Sequence, residues 1–264
     1  MLIVGERINT SRKGIAPAVE ALDAVAVLKE AQIQVESGCT MVDVNCGTLV
    51  EREAVVMEWL VRTVQESVDV PLCIDTPDPK VLEAGLKVHR GKALVNSITA
   101  EKQRYDTMVP LVKEYDASVV ALCISERGMP KTVDDRMRVV DFLVEKLTGD
   151  GIGIDDIYID PLVQPLATEP DNGRIALDTV NQIMSGYPGI HTICGLSNIS
   201  FGLPCRRLLN QTFLALMIAA GLDGVILDPL DNMLMSVLKA SRVITGQDAY
   251  GMDYIKAYRA GRFR

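Results

Sequence analysis

Short apolar runs alternate with longer amphipathic stretches along the whole chain. The runs are Leu2–Val4, Met41–Val44, Leu72–Ile74, Ala93–Val95, Ser118–Ile124, Ile157–Ile159, Thr192–Cys194 and Gly224–Leu227. Between them, apolar residues recur at helical spacing. Val56, Trp59, Leu60 and Val64 form one stripe, Tyr105, Met108, Val109 and Val112 a second, and Val140, Leu143, Val144 and Leu147 a third. Pro110 interrupts the second stripe, so a kink or a late helix start is expected there. Runs that are continuously apolar, rather than alternating, suit strands buried on both faces and therefore parallel. Eight strand–helix units predict a (β/α)8 (TIM) barrel, with residues 1–264 as one domain. A doubly wound open sheet is the alternative, but no G-x-G-x-x-G follows the first run. No linker, low-complexity tract or internal repeat divides the chain. The last stretch, Tyr250 to Arg264, reads as an extra helix with a basic end.

Polar residues stand where several runs end. Asp75 ends the run in "CIDTPDP", Asn96 that in "VNSITAE", and Asp160 that in "YIDPL". In a barrel they come from the third, fourth and sixth strands and converge on the C-terminal mouth, where barrels bind ligands. Asn45 and Asn198 hold equivalent places after the second and seventh strands. The competing reading is that each residue caps the helix that follows, as Asn and Asp often do. Asp75 and Asp160 precede proline-containing loops rather than helix starts, which favours a ligand site for the set.

Composition narrows the partners. The net charge is −8 and no long basic run occurs, which argues against nucleic acid and anionic membrane. A hydrophobic content of 48% supplies a large core. The six cysteines, Cys39, Cys46, Cys73, Cys123, Cys194 and Cys205, include no C-x-x-C pair and read as buried hydrophobes in a reducing compartment. The opening "MLIVGERIN" has no basic leader, and no stretch approaches the roughly 20 apolar residues of a membrane span, so the expected location is cytoplasmic.

Two aspartates and an asparagine at one mouth suit a ligand rich in donors. A 2-amino-4-oxo-pyrimidine ring presents an N–H and an exocyclic amine side by side, which one carboxylate can accept together. An asparagine amide can donate and accept against the neighbouring ring nitrogens. A divalent metal is the rival reading. His89 and His191 lie away from the strand ends and read as structural, so no intrinsic metal is expected.

The motifs "GERIN", "DVNCG", "IDTPDP", "VNSITAE", "YIDPL" and "CGLSNISFG" together resemble the pterin-binding methyltransferase family over nearly the whole chain. That family includes the methyltetrahydrofolate:corrinoid/iron–sulfur protein methyltransferase of anaerobic acetogens, the second methyltransferases of corrinoid-dependent demethylase systems, and the folate module of cobalamin-dependent methionine synthase. The resemblance implies a TIM barrel, usually a homodimer, with a pterin across the mouth. It implies reversible methyl transfer between 5-methyltetrahydrofolate and the cobalt of a corrinoid (cobalamin) carried by a partner protein. The setting would be one-carbon metabolism, in an acetyl-CoA pathway or in demethylation of aryl methyl ethers or glycine betaine. On matching positions, Asp75, Asn96 and Asp160 would hold the pterin, with Gly195 and Ser197 beside it. Asn198 would reach the methyl-bearing nitrogen and act as the catalytic residue. Glu6, Asp43, Asn45 and Arg206 would support the network or contact the folate tail.

Dihydropteroate synthases share the barrel and the pterin pocket. Their later motif carries a lysine after a seventh-strand serine–arginine pair, and the corresponding "GLSNISFG" has none. A non-catalytic folate-binding protein would need the pocket without Asn198. The segments "ISFGLPCRR" and "SERGMP" depart from the acetogen pattern, which leaves the identity of the corrinoid partner open.

Overall fold

The computed structural model describes residues 1–263. Eight parallel strands, β1 (Leu2–Asn9), β2 (Met41–Asn45), β3 (Leu72–Asp75), β4 (Leu94–Thr99), β5 (Ser118–Leu122), β6 (Ile157–Asp160), β7 (His191–Thr192) and β8 (Gly224–Leu227), pair in sequence order, and β1 pairs with β8. The helices are α1 (Ala16–Glu20), α2 (Ala24–Glu36), α3 (Glu53–Ser67), α4 (Pro79–Leu86), α5 (Lys102–Glu114), α6 (Val133–Gly149), α7 (Asn172–Gly186), α8 (Arg206–Ala220), α9 (Asn232–Ile244) and α10 (Met252–Arg259). Sequential order and closure make this a (β/α)8 barrel and rule out the open doubly wound sheet.

The ring closes between β7 and β8. Gly195 bridges Ile226, and the Ile226 N–H donates to the Cys194 carbonyl at 2.9 Å. At the other end of this seam, Asp223 accepts from the Thr192 N–H at 2.8 Å and contacts His191 Nδ1 at 2.6 Å. A Cβ on Gly224 would sit 2.8 Å from the Thr192 carbonyl oxygen and 3.1 Å from Ile193 Cβ. Backbone cannot yield cheaply there. Gly224→Ala should therefore lower stability by about 1–3 kcal/mol, as overpacking does. A urea titration checks this, and an unchanged midpoint would mean the seam has slack.

Most of the helical stripes are buried as expected: Val56, Leu60, Val64, Leu143 and Leu147 are fully covered, while Trp59 is only partly buried against the core. Pro110 departs from expectation. α5 starts at Lys102 and runs through the exposed Pro110 to Glu114 without a break in its assignment. The buried Tyr105, Met108, Val109 and Val112 bracket the proline and hold both halves against the sheet. Cys205 also departs. The other five cysteines are buried and free, but Cys205 is exposed in a left-handed turn (φ +52°) ahead of α8. The terminal helix is α10, and Arg264 lies outside the described residues. Both histidines serve the frame: His89 Nε2 accepts from the Leu72 N–H at 3.1 Å, and His191 stacks on Tyr158. Among the described residues, no helix is long and apolar enough to cross a membrane.

Candidate pterin site

The barrel interior carries one apolar layer formed by Val4, Met41, Cys73, Leu94, Val120 and Ile193, with Tyr158 and Ile226 packed against it. Side chains two residues apart on a strand share a face. Moving two residues toward the mouth therefore gives Glu6, Asp43, Asp75, Asn96, Asp160 and Asp228. The polar mouth follows from strand alternation laid over the apolar layer. Asp75 and Asn96 are in direct register on β3 and β4. Asp43 is in register with Cys73, two residues short of Asp75, so it lies deeper and is only 2% exposed. β4 carries a register shift between Asn96 and Ile98, and β1 one between Gly5 and Ile8. Such bulges re-aim side chains where a strand leaves the sheet.

The helix caps are other residues. Asp78 caps α4 and Asp231 caps α9 through their side chains, while the N-cap positions of α5, α7 and α8 are Glu101, Asp171 and Cys205. Asp75, Asn96, Asp160 and Asn198 are left free of that duty.

Asn45 donates from Nδ2 to Asp75 Oδ2 at 2.9 Å, and its Oδ1 accepts from the Gly47 N–H at 3.0 Å. The amide is thus fixed at both ends and orients Asp75. Burial pushes the Asp75 carboxyl up, and the Asn45 hydrogen bond and Arg104 charge oppose that. Burial pushes Asp43 up further, helped by the charge of Asp75. Asp43 Oδ1 has no hydrogen-bond partner.

Asp160 Oδ1 accepts from the Leu162 N–H at 2.7 Å, an arrangement that Leu162 permits by adopting a left-handed backbone (φ +62°). Burial raises the Asp160 carboxyl to about 7, against the pull of that N–H and of Arg136. Asn198 sits in a 3-10 turn, Leu196–Ser200, at the end of the seventh strand unit, and is exposed. A Cβ on Gly195 would lie 3.2 Å from Asn198 Nδ2, so the glycine leaves room for the amide to fold back over the strand end. Arg206 holds this turn, donating from Nη2 to the Ser197 carbonyl at 2.8 Å and from Nε to Ser200 Oγ at 3.0 Å.

Glu6 belongs to an ionic chain. Arg12 Nη1 meets Glu6 Oε1 at 3.0 Å, Arg12 Nη2 meets Asp228 Oδ2 at 2.7 Å, and Arg7 Nη1 meets the same Asp228 oxygen at 2.9 Å. Arg7 also pairs with Glu30. Burial pushes the Glu6 carboxyl up while Arg12 opposes it. The sequence pattern could have found Asp228: "VILDP" repeats the apolar-run, Asp, Pro signal of "CIDTP" and "YIDP". Arg12, Arg104 and Arg136 carried no comparable signal, because each reaches the mouth from another element. Among the described residues, no group of three or more His, Cys, Asp or Glu side chains could hold a metal ion. A cavity of about 820 Å³ lies between α5 and α6, but none of the strand-end residues lines it.

A family model described as "Pterin binding enzyme" matches residues 5–228, a span that opens beside Glu6 and closes at Asp228. The chain belongs to this pterin-binding enzyme family. It is 35% identical over 267 residues to the methylcorrinoid:tetrahydrofolate methyltransferase of Eubacterium limosum, covering 99% of this chain and 97% of that one. It is 32% identical over 240 residues to the methionine synthase of Mycobacterium tuberculosis, covering 86% of this chain but 20% of that much longer protein. In fold it is similar to dihydropteroate synthase from Xanthomonas albilineans in complex with 7,8-dihydropteroate, at a TM-score of 0.73 and 18% identity, covering 92% and 93% of the two chains.

Proposed function

We propose that this family member transfers a methyl group between tetrahydrofolate and the corrinoid of a partner protein. The observation that carries the reading is the end-to-end similarity to a methylcorrinoid:tetrahydrofolate methyltransferase, over 99% of this chain. The mouth residues agree with it. Asp160 would accept the two adjacent pterin donors, while Asp75 and Asn96, neighbours in register, would take the opposite part of the ring. The exposed Asn198 amide would face the ring nitrogen that gains or loses the methyl group.

The obstacle to methyl departure is the poor leaving group, since an unprotonated tertiary amine would leave as an amide anion. A hydrogen bond from Asn198 to that nitrogen stabilises the charge as it develops. In the reverse direction, tetrahydrofolate releases one proton as its nitrogen takes the methyl group. On the family resemblance we further propose a cytoplasmic homodimer that docks its corrinoid partner at the barrel mouth. The metabolic setting would be demethylation or an acetyl-CoA pathway.

Calorimetry tests the pocket and carries a pH signature. The pterin donors need the carboxylate form of Asp160, and that group titrates at about 7 in the free protein. Tetrahydrofolate affinity should therefore rise as pH increases from 6 to 8, with proton release on binding near pH 6. Affinity independent of pH across this window would remove Asp160 from the contact. A dihydropteroate synthase assay on the same preparation should give no product. Product formation would favour the synthase reading.

A further inference from the structure

Two arginines approach the candidate pterin site from behind, and neither acts as an ordinary ion-pair partner. Arg136, on α6, is 1% exposed. Its Nε donates to the Pro161 carbonyl at 2.7 Å, its Nη2 to the Leu162 carbonyl at 3.3 Å, and its Nη1 to the Thr132 carbonyl at 3.2 Å. Arg104, on α5, is partly buried. Its Nε and Nη2 both donate to the Ser97 carbonyl, at 3.0 and 2.7 Å. These acceptors are all main-chain carbonyls, so both charges are solvated mainly by dipoles; no carboxylate is in ion-pair contact with either, and Glu101 acts on Arg104 and Asp135 on Arg136 only from farther off. Burying a cation this way is expensive, and an apolar side chain at position 136 would avoid the cost.

The gripped carbonyls explain the expense. Pro161 and Leu162 directly follow Asp160, and Ser97 directly follows Asn96. Holding the Pro161 and Leu162 carbonyls fixes the left-handed Leu162, whose N–H in turn anchors Asp160 Oδ1 at 2.7 Å. Holding the Ser97 carbonyl fixes β4 where its register shifts. Both elements also bring a positive charge toward a site carboxylate: Arg136 toward Asp160 and Arg104 toward Asp75.

We propose that Arg136 and Arg104 are positioning residues for pterin binding. Each locks the strand-end turn that aims a pterin-binding side chain, and each lends its unpaired charge to the carboxylate in front of it. The proposal rests on the pterin-site reading above, and it adds what keeps burial from pushing the mouth carboxyls of an acidic chain up still further. The other titratable groups facing Asp160 are the thiols of Cys123 on the β5 side and Cys194 on the β7 side, both pushed up by burial and protonated at neutral pH. Asp75 is faced by Asp43 from β2, Glu53 from α3 and Arg104 from α5. The arginines are therefore the sources of positive charge acting on the two carboxylates.

Carboxyl-carbon NMR titration of the ligand-free protein, labelled at aspartate, tests the charge without any folate. The Asp160 and Asp75 signals are assigned by their loss in Asp160→Asn and Asp75→Asn. Arg136→Gln should raise the Asp160 midpoint by about one pH unit or more, the usual size of a nearby charge. Arg136→Lys should hold it near the wild-type value. Arg104 is less buried, so Arg104→Gln should fold and raise the Asp75 midpoint even if Arg136→Gln does not fold. Tetrahydrofolate calorimetry then tests the clamp. Arg136→Lys keeps the charge but has no fork to span two carbonyls, so its affinity should fall about tenfold. Unmoved Asp midpoints in folded variants would overturn the electrostatic role and leave both arginines as braces of the loops. Shifted midpoints in the variants, together with a wild-type protein that binds no folate, would instead uphold the charge coupling and refute the pterin reading.

Discussion

Replacing Asn198 by alanine should lower the single-turnover rate of methyl transfer by on the order of a hundredfold and leave tetrahydrofolate affinity within a few-fold of wild type. The size follows from other preorganised donors aimed at developing charge, which contribute about 2.7–4 kcal/mol. The split follows from timing. In the proposed role the amide would matter most when the methyl–nitrogen bond breaks, and only interactions stronger in the transition state accelerate the step. The geometry makes the test clean. Asn198 is exposed, lies in the 3-10 turn and is not the N-cap of α8, which is Cys205. Removal of its side chain should therefore cost little stability. Rapid mixing and a melting curve on one preparation decide the matter. A lowered melting temperature with an unchanged rate per folded molecule would make Asn198 a shaper of its loop.

Asp160→Asn should weaken tetrahydrofolate binding by about tenfold to a hundredfold, the loss of a charge-assisted contact worth roughly 1.5–3 kcal/mol. The direction is fixed by the partner already in place. The Leu162 N–H claims Oδ1 at 2.7 Å, so the new amide must turn its oxygen there and its NH2 toward the pterin donors. Stability should move the opposite way. The folded carboxyl sits at about 7, above its ordinary value of 3.8, so its ionisation opposes folding increasingly as pH rises from about 4 to 7 and fully above that. The asparagine variant escapes this cost and should be more stable than wild type at pH 8, with a smaller difference at pH 5. Urea unfolding at the two pH values checks this. Equal loss of binding and stability would mean that Asp160 braces the loop and does not hold a ligand.

The fold was legible in the sequence because two signals coincide. Continuous apolar runs such as Met41–Val44 and Leu72–Ile74 mark strands covered on both faces, and helical stripes such as Val140–Leu147 mark what covers them. The mouth residues were legible for a related reason, since a polar side chain that ends an apolar run must lie where the apolar layer stops. Asp228 obeys the same rule, and "VILDP" carries its signal. Contacts across elements were not legible. Arg12, which pairs with Glu6, meets Asp228 from 216 residues away in sequence, and Arg136 reaches Pro161 from a preceding helix. Periodicity says which face of an element is buried but not which neighbour meets it. Pro110 shows the limit of local propensity, because four buried side chains of α5 outweigh the hydrogen bond it removes. Cys205 shows the limit of composition, since its neighbours in the α8 approach leave the thiol in solvent.

Methyl transfer between folate and a corrinoid can be followed optically. Methylcob(III)alamin and tetrahydrofolate are mixed anaerobically with the protein, and the spectrum is followed while 5-methyltetrahydrofolate is quantified. Protein-dependent loss of methylcobalamin is expected, with appearance of cobalt(I) cobalamin and one 5-methyltetrahydrofolate per cobalt reduced. The rate should rise further when a methylated corrinoid protein replaces the free cofactor, because the mouth would then meet its protein partner. No protein-dependent 5-methyltetrahydrofolate with either methyl donor, from a preparation that binds tetrahydrofolate, would rule out methyl transfer and leave a pterin-binding barrel with another reaction.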